Sequence, residues 1–513
     1  MWRGCEAPHP PFGHLLPAFA GRRQKETPAC PPRPVRAGMI FPTLNFLLFY
    51  LVVWPASWGL ALLRQHLLHK LLIIGASYFF YAFWSWKLMF LLLGSVVLNF
   101  AAGRLIDRWR GTRAAKWTVG LAVAANLSLL GFFKYYGWFI VSLDEALRAL
   151  SLERELPFLE IVLPIGISFF TFQGISYIVD LYRGHLDRSR PLVDVMFFIS
   201  FFPHLVAGPI VRAASFLPQL EQPPNPNRVF VGLGVMLVVW GVFKKAVIAN
   251  YLAVLLVDHA FLAPASFGAV DLLFAVYGYA IQIYCDFSAY SDIAIGVAAL
   301  LGYRFQRNFN QPYRAESLQD FWRRWHMSLS SWLRDYLYIP LGGNRHGEFK
   351  TYRNLLLTMV LGGVWHGAAW KFVLWGALHG GVLALERFLY KGHDPAARIG
   401  RPLWQRVLSV FLIFHFVCLC WVFFRAEDMP RAWELLTGLA NWSQPVTLLN
   451  SFLLALIAFG MAIQFTPADT LQRLDRLYHR LPTWGVGVAA GVSLLLIEAV
   501  GGDGAAPFIY FQF

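Results

Sequence analysis

One histidine stands out in a strongly apolar part of the chain. The stretch LGGVWHGAAWKFVLWGALHGG, residues 361–381, places His366 among small residues and tryptophans. An ionisable side chain inside a membrane is energetically expensive, so a histidine in such a run indicates a functional site. A neutral imidazole can take the proton of a hydroxyl group as that hydroxyl attacks a carbonyl carbon. The sequence leaves a second interpretation open, in which His366 is structural and donates to a backbone carbonyl of a neighbouring helix.

A second histidine, His379, lies 13 positions after His366. On one continuous helix this separation corresponds to a rotation of about 220°, which predicts that the two imidazoles do not share a face. No HxxxH, HExxH or Cys/His spacing occurs near His366, so no metal site is predicted. The chain has no GxSxG motif, and its five cysteines include no CxxC pair, so neither a serine triad nor thiol redox chemistry is indicated.

A second stretch, LQDFWRRWHMSLSSWLRDYLYIPLGGN, combines tryptophans with arginines over residues 318–344. Helical spacing predicts one apolar side formed by Trp322, Trp325 and Leu329. The arginines beside it suit either attraction of a phosphorylated donor or contact with lipid headgroups. These arginines are Arg323, Arg324 and Arg334. His326 lies among them, at a boundary where position alone does not single out a histidine.

The stretch QIYCDFSAYSDIAIG, residues 282–296, brings two carboxylates into an otherwise apolar run. Asp286 and Asp292 are separated by about 600° on a helix, so they face different directions and form no carboxylate dyad. They are accompanied by Ser288, Tyr290 and Ser291. These polar groups suit either the lining of a cavity or hydrogen bonds between helices, and the sequence leaves both interpretations open.

The elements that must position these residues are predicted to be membrane-spanning helices. The 513-residue chain is 57% hydrophobic and 14% charged, whereas about 25% charged residues are usual in soluble domains. Its net charge of +15 comes largely from Lys and Arg in short loops between apolar runs, as the positive-inside bias predicts. The chain has no basic domain with interleaved aromatic residues, so we expect no nucleic-acid partner.

Hydropathy predicts an all-α, polytopic bundle with about eleven transmembrane spans. The twelve candidate segments are residues 43–63, 68–84, 86–104, 116–134, 158–181, 192–210, 228–250, 268–301, 352–375, 404–424, 447–466 and 484–500, of which 68–84 and 86–104 form either a short pair or one bent hairpin. The loop Arg104–Lys116 is strongly basic and is predicted to be cytoplasmic. Pro, Gly and polar residues interrupt the apolar segments 163–180 and 198–212. Such breaks are tolerated where backbone is buried in protein or lines a cavity, which predicts a cavity.

The N-terminal 38 residues differ in composition from the remainder. They are rich in Pro and Arg, whereas Met39 opens a long apolar run. We therefore expect residues 1–38 to be either a disordered extension or a misassigned start, and we favour translation from Met39. Residues 39–513 are predicted to form a single membrane domain, because no polar interval is long enough to build a separate core.

Six motifs together resemble those of the membrane-bound O-acyltransferases. In chain order they are LPIGISFFTFQGISYIVDLYRG, FFPHLVAGPIVR, YCDFSAYSDIAIG, FWRRWHMSLSSWLRDYLYIPLGGNR, TMVLGGVWHGAAWKFVLWGALHG and the terminal PFIYFQF. Within that family the chain is most similar to the bacterial alginate O-acetyltransferase branch. The resemblance covers essentially all of 39–513, and motifs of this length in this order are very specific.

The resemblance implies a helical membrane fold with a central funnel or tunnel. It also implies an essential histidine in the WHG motif, here His366, and a second active-site position 40 residues earlier, here His326. We expect His366 to act as general base or to carry the acetyl group transiently. We expect His326 to orient the acceptor or to stabilise the oxyanion. The donor, which is anionic, would be attracted by Arg323, Arg324 and Arg334.

The resemblance further implies the path of the acyl group. It leaves a thioester donor on the cytoplasmic side, either acetyl-CoA or another acyl thioester, and ends on a hydroxyl on the far side. No permanently bound cofactor is expected. The expected partners are a periplasmic acetyltransferase, other polysaccharide-modification and secretion proteins, and membrane lipid. The expected function is transfer of acetyl across the bacterial inner membrane for O-acetylation of an exopolysaccharide, with alginate as the first choice.

Three alternatives to this function stay open. The acceptor could be another cell-envelope polymer, namely cellulose, peptidoglycan, or teichoic acid modified by D-alanylation. The chain could instead be a transporter or lipid flippase, although no paired interrupted helices occur at matching places in its two halves. It could also be a non-catalytic scaffold of a polysaccharide-secretion complex, which would tolerate the loss of both histidines.

Overall fold

The computed structural model describes most of the chain as helices joined by short loops. The described residues are 41, 43–152, 156–159, 161–225, 231–391, 400–467, 470, 473, 482–501 and 508. All regular structure assigned within these residues is helical, as the hydropathy pattern predicts. The predicted N-terminal extension, residues 1–38, lies outside the described residues, so the choice between Met1 and Met39 stays a prediction.

Four long helices form the first part of the bundle. They are α1 (Leu44–Leu62), α2 (His66–Trp84), α3 (Trp86–Arg108) and α4 (Arg113–Ala149). Hydroxyl side chains at Thr43, Ser85 and Thr112 accept hydrogen bonds from the first-turn N–H groups of α1, α3 and α4. Such N-caps define where each helix begins. Because Ser85 separates α2 from α3, the predicted segments 68–84 and 86–104 are two helices.

The central part of the chain contains shorter and interrupted helices. They are α5 (Ile167–Tyr182), α6 (Leu192–Ser200), α7 (Phe202–Leu205) and α8 (Ala213–Phe216), followed by the long α9 (Val231–Leu262) and α10 (Ala269–Leu300). Two π-helical turns, Lys244–Ala249 and Ala253–Val257, lie within α9. The remaining helices are α11 (Leu318–Trp322), α12 (Met327–Leu333), α13 (Glu348–His366), α14 (Trp370–Leu389), α15 (Leu403–Arg425), α16 (Met429–Gly438), α17 (Ser451–Ala462) and α18 (Thr483–Val500).

Eight of the described helices are long and apolar enough to cross a membrane. They are α1, α2, α3, α4, α9, α10, α14 and α15, and two shorter apolar segments cover Ser451–Phe465 and Trp484–Val500. Three predicted spans have a different form. Residues 158–181 contain only the 16-residue α5, 192–210 is divided into α6 and α7, and 352–375 is interrupted after His366. The chain is therefore a multi-pass helical membrane protein with several broken helices.

Backbone packing explains where α5 begins. Gly166 precedes this helix with φ +72°, a left-handed conformation that glycine adopts without strain. A Cβ atom at Gly166 would collide with the main-chain oxygen of Leu205, so α5 and the α7 segment meet backbone to backbone. Irregular backbone is thus buried in protein at this point, which is where a membrane protein tolerates it.

The helix α10 forms the centre of the bundle. In its most apolar window 78% of the residues are buried, the highest share among the eight candidate spans. Glycines bring it close to α9, because a Cβ atom at Gly241 would lie 2.8 Å from the Ala289 main-chain oxygen, and one at Gly296 would lie 2.6 Å from that of Gly234. Small residues at such crossings let membrane helices approach closely.

Candidate active site

His366 is the last residue of α13, at the apex of a helical hairpin. Gly367 and Ala369 have extended backbone conformations, with φ −165° and −154°, and α14 begins at Trp370. The chain therefore reverses direction immediately after His366. The expectation of one continuous helix through His366 and His379 is wrong, because the extended residues divide the segment and place His379 on the returning helix.

Glycines hold the two arms of this hairpin together. A Cβ atom at Gly363 would collide with the Phe372 main-chain oxygen, and one at Gly376 would collide with that of Met359. The arms also meet near their far ends, where Arg387 donates to Glu348 at 2.8 and 3.0 Å. These contacts fix α13 against α14 and thereby define the position of His366.

Aromatic rings enclose the His366 imidazole. The ring centroids of Trp365, Trp375 and Phe424 lie 5.0, 5.2 and 5.2 Å from that of His366, all in edge-on orientations. The residue is buried, with 7% of its surface exposed. A low-dielectric site of this kind strengthens electrostatic interactions with a developing charge.

His326 lies close to His366 and is completely buried. The Trp365 ring contacts both histidines, with its centroid 6.1 Å from that of His326. His326 has φ +41°, an uncommon conformation for a residue other than glycine. Its Nδ1 atom is 3.2 Å from Oδ1 of Asn308. Its Nε2 atom is buried and has no hydrogen-bond partner among the described residues.

The helix predicted through Trp322, Trp325 and Leu329 is broken in the structure. The first of these residues ends α11, and α12 begins only at Met327, after the turn that contains His326. Trp325 and Leu329 are nevertheless buried in the protein core. The turn changes the direction of the chain, and it carries His326 into the interior instead of leaving it at a membrane boundary.

A third histidine, which helical spacing assigned to a different face, is also part of this cluster. The His379 ring centroid is 4.5 Å from that of Trp375 and 5.3 Å from that of Trp322. Both ring nitrogens of His379 and both indole N–H groups are buried without a hydrogen-bond partner among the described residues. Trp375 contacts His366 as well, so one indole bridges the two histidines. The sequence signal for this arrangement was the run of three small residues, Gly367–Ala369, after His366.

The three candidate arginines occupy different environments. Arg323 is exposed, whereas Arg324 is partly buried and donates to Asp320 at 2.8 Å and to the Asn310 main-chain oxygen at 3.3 Å. Arg334 is exposed and forms a bidentate pair with Asp335 at 2.7 and 3.1 Å.

The Asp335 carboxyl that pairs with Arg334 is held in its ionised form by neighbouring arginines. Burial alone would raise the pKa of Asp335, but hydrogen bonds from Arg334 and Arg212 lower it overall. Arg334 therefore faces a stable carboxylate at neutral pH. Its charge is partly compensated within the protein.

Both carboxylates of the motif at residues 282–296 form ion pairs with α9. Asp286 pairs with Lys245 at 2.5 Å, and Asp292 pairs with Lys244 at 2.6 Å. As predicted, the two aspartates do not face each other as a dyad. Lys244 also donates to Ser288 at 2.7 Å. These contacts favour the interpretation that the polar groups join helices, and both lysines lie in a π-helical turn of α9.

Comparison with known proteins identifies the family of this chain. The model of the membrane-bound O-acyltransferase family matches residues 182–427, which contain both His326 and His366. A probable alginate O-acetylase of Pseudomonas aeruginosa is 43% identical over 77% of this chain and 74% of its own length. The chain belongs to the membrane-bound O-acyltransferase family. It is accordingly an O-acyltransferase, and the resemblance carried by its motifs is confirmed.

Other members of the membrane-bound O-acyltransferase family extend the similarity. A probable alginate O-acetylase of Pseudomonas putida is 38% identical over 93% of this chain and 100% of its own length. A peptidoglycan O-acetyltransferase of Helicobacter pylori is 36% identical over 79% of this chain and 80% of its own length. The similarity thus spans relatives named for two different polymers.

Proposed function

We propose that this chain is an O-acetyltransferase of the bacterial inner membrane that serves the O-acetylation of alginate. The acetyl group leaves an acyl thioester, acetyl-CoA or another, on the cytoplasmic side and crosses the membrane through the bundle. Periplasmic acetyltransferase and polysaccharide-modification proteins then receive it. The support for the polymer is similarity to proteins named as probable alginate O-acetylases, one of which aligns over its entire length.

The observation that carries the proposal is the contact of His366 and His326 with the same indole ring. In the proposed reaction the acceptor hydroxyl oxygen attacks the thioester carbonyl carbon while His366 takes the hydroxyl proton. The carbon–sulfur bond then breaks, and His366 returns the proton to the departing thiolate. His326, whose ring also contacts Trp365, orients the acceptor or stabilises the oxyanion. General-base catalysis of this kind contributes about 10²–10⁴-fold.

A variant of this chemistry has His366 carry the acetyl group transiently. In that case an imidazole nitrogen attacks the thioester carbonyl carbon, the carbon–sulfur bond breaks, and the thiol leaves with the proton of the ring. An acceptor hydroxyl then attacks the acetyl carbon, and its proton returns to the ring as the carbon–nitrogen bond breaks. Both versions require His366, so its loss abolishes transfer in either case. Trapping an acetylated peptide that contains residue 366 after rapid acid quench would distinguish them.

The arginines are proposed to draw the anionic donor toward the site. Arg323 is the best placed for this role because it is exposed and lies three positions before His326. Arg324 and Arg334 are proposed to add to the same attraction, and their guanidinium groups also pair with Asp320 and Asp335.

The test is the acetyl content of secreted polymer from cells that carry His366→Ala. We expect acetyl content to fall by at least about 10²-fold while the protein stays at normal abundance in the membrane. His185→Ala is the matched control, because that ring is largely exposed and far along the chain from the site. Full acetyl content in His366→Ala cells would overturn the catalytic role and favour the scaffold alternative.

A second candidate acceptor is peptidoglycan, which the Helicobacter pylori relative favours. Mass analysis of both polymers from a deletion strain separates the two acceptors. Loss of acetyl from the exopolysaccharide alone supports the proposal. Loss from the cell wall alone replaces alginate by peptidoglycan and leaves the reaction unchanged.

A further inference from the structure

Asn308 is a buried amide that holds the turn around His326. Its main-chain oxygen accepts a hydrogen bond from Met327 N–H at 2.8 Å. Two residues further on, the N–H of Asn310 donates to the Arg324 main-chain oxygen at 2.8 Å. These two bonds tie the segment 308–310 to the turn. A residue with positive φ persists only where its surroundings determine the backbone, and here Asn308 supplies part of that constraint.

A hydrogen bond from one backbone donor fixes the orientation of the Asn308 amide. The main-chain N–H of Ser328 lies 3.2 Å from Oδ1 of Asn308, and a main-chain N–H can only donate. The atom that it meets must therefore be the amide oxygen. On the other side, the amide nitrogen Nδ2 donates to Oγ of Ser291 at 3.0 Å. The assignment of oxygen and nitrogen follows from the network and needs no hydrogen positions.

The orientation of Asn308 determines the tautomer of His326. Nδ1 of His326 lies 3.2 Å from the same Oδ1, and two acceptors do not face each other at this distance, so Nδ1 carries the proton. Oγ of Ser328, 3.4 Å from Nδ1, does not change this result. That hydroxyl accepts from Ile210 N–H at 2.9 Å and gives its own proton to Asn308 at 2.8 Å.

We infer that Asn308 is a positioning residue that keeps neutral His326 in the Nδ1–H tautomer, with a lone pair on Nε2. That atom is buried and no described residue bonds it, so it is available to a substrate group. A lone pair accepts a hydrogen bond from a hydroxyl but cannot donate one to an oxyanion. This inference rests on the proposed function and deepens it: Nε2 of His326 orients the acceptor by accepting a hydrogen bond from a second O–H or N–H group of that acceptor, because the single proton of the attacking hydroxyl goes to His366. Stabilisation of the oxyanion falls to other groups.

Nitrogen-15 NMR of the full-length protein in lipid tests the tautomer directly. Protonated and lone-pair imidazole nitrogens have well separated chemical shifts, and His326→Gln assigns the signals by their disappearance. We expect a protonated Nδ1 and a lone-pair Nε2 at neutral pH. In Asn308→Leu we expect a mixture of tautomers, because the acceptor for Nδ1–H is gone. A protonated Nε2 in the natural protein would overturn the inference.

Acetyl transfer by two Asn308 variants tests whether the tautomer matters. Initial rates of polymer acetylation are measured in permeabilised cells as a function of added acetyl-CoA. Asn308→Leu should lower the maximal rate by about 10²-fold and leave the KM for acetyl-CoA unchanged, since the donor is not touched. Asn308→Asp should stay within about tenfold of the natural protein, because a carboxylate accepts from the same donors.

These measurements separate the inference from the proposed function. If His366→Ala and His326→Gln abolish acetylation but Asn308→Leu acts at the natural rate, the positioning role of Asn308 is wrong and the proposed function stands. If both histidine variants acetylate normally, the proposed function fails, and the NMR result still decides the tautomer. Equal losses in Asn308→Leu and Asn308→Asp would also refute the inference, because they would indicate a structural requirement for the amide.

Discussion

The ammonium group of Lys134 lies 3.2 Å from the main-chain oxygen of His366. It also donates to the main-chain oxygen of Trp365 at 2.5 Å. These oxygens are at the end of α13, where backbone carbonyls lack partners within the helix. A positive charge at a helix C-terminus is favourable because the helix dipole is negative there. Lys134, on α4, therefore holds the backbone of the histidine to which the proposal assigns the proton transfer.

Replacing Lys134 with methionine should impair both stability and acetylation. The change leaves buried carbonyl groups without a donor, so we expect a loss of about 1–3 kcal/mol in the free energy of unfolding. Thermal unfolding in detergent and the acetyl content of the polymer provide the measurements. Lys116→Met, on the exposed part of the same helix, is the matched control. Natural acetylation in Lys134→Met would show that this contact is not needed to position His366.

Gly376→Ala should destabilise the hairpin that presents His366. The added Cβ would press against the main chain of Met359 and Val360 on α13, and overpacking of this kind costs about 1–3 kcal/mol. We expect a lower melting temperature and reduced acetylation. Gly381→Ala, five positions later in α14, meets no atom within 4 Å and should be neutral or slightly stabilising. Equal effects of the two substitutions would show that helix propensity, and not hairpin packing, is responsible.

The sequence predicts the bundle well, because membrane helices are specified by long apolar runs. It also predicts His366 and His326 as candidate site residues, through motifs that resemble those of a known family. It does not predict how these residues meet. Hydropathy predicted one span over residues 352–375, whereas the extended Gly367–Ala369 segment turns the chain and brings His379 to the same indole as His366.

The contacts of Asn308 could not be predicted from the sequence either. Asn308 and His326 are 18 positions apart and lie on irregular backbone, for which no periodic pattern exists. The sequence did not predict the partners of Asp286 and Asp292, for a related reason. Adjacent lysines reach two aspartates that face different directions, and the local π-helical turn of α9 departs from the 3.6-residue period.

The exposed arginine next to the His326 turn should influence donor capture and not the chemical step. Arg323→Gln is expected to raise the apparent KM for acetyl-CoA several-fold at low ionic strength, with an unchanged maximal rate. The difference should disappear near 1 M salt, where the screening length is about 3 Å. Arg334→Gln, eleven positions further along the chain, is the comparison variant, and its effect should also disappear at high salt. A salt-independent effect of Arg323→Gln would contradict electrostatic attraction.

Substitutions at the buried pair of Lys245 and Asp286 test whether the polar stretch of α10 has a structural or a functional role. Both side chains are almost completely buried, and removing one partner of such a pair costs about 3–5 kcal/mol. Asp286→Leu should therefore reduce membrane abundance, whereas the double variant Lys245→Met/Asp286→Leu should recover much of it, because no unpaired charge remains. If the pair only joins α9 to α10, the double variant should acetylate polymer in proportion to its abundance. If the double variant reaches normal abundance but does not acetylate polymer, these charges belong instead to the path of the acetyl group.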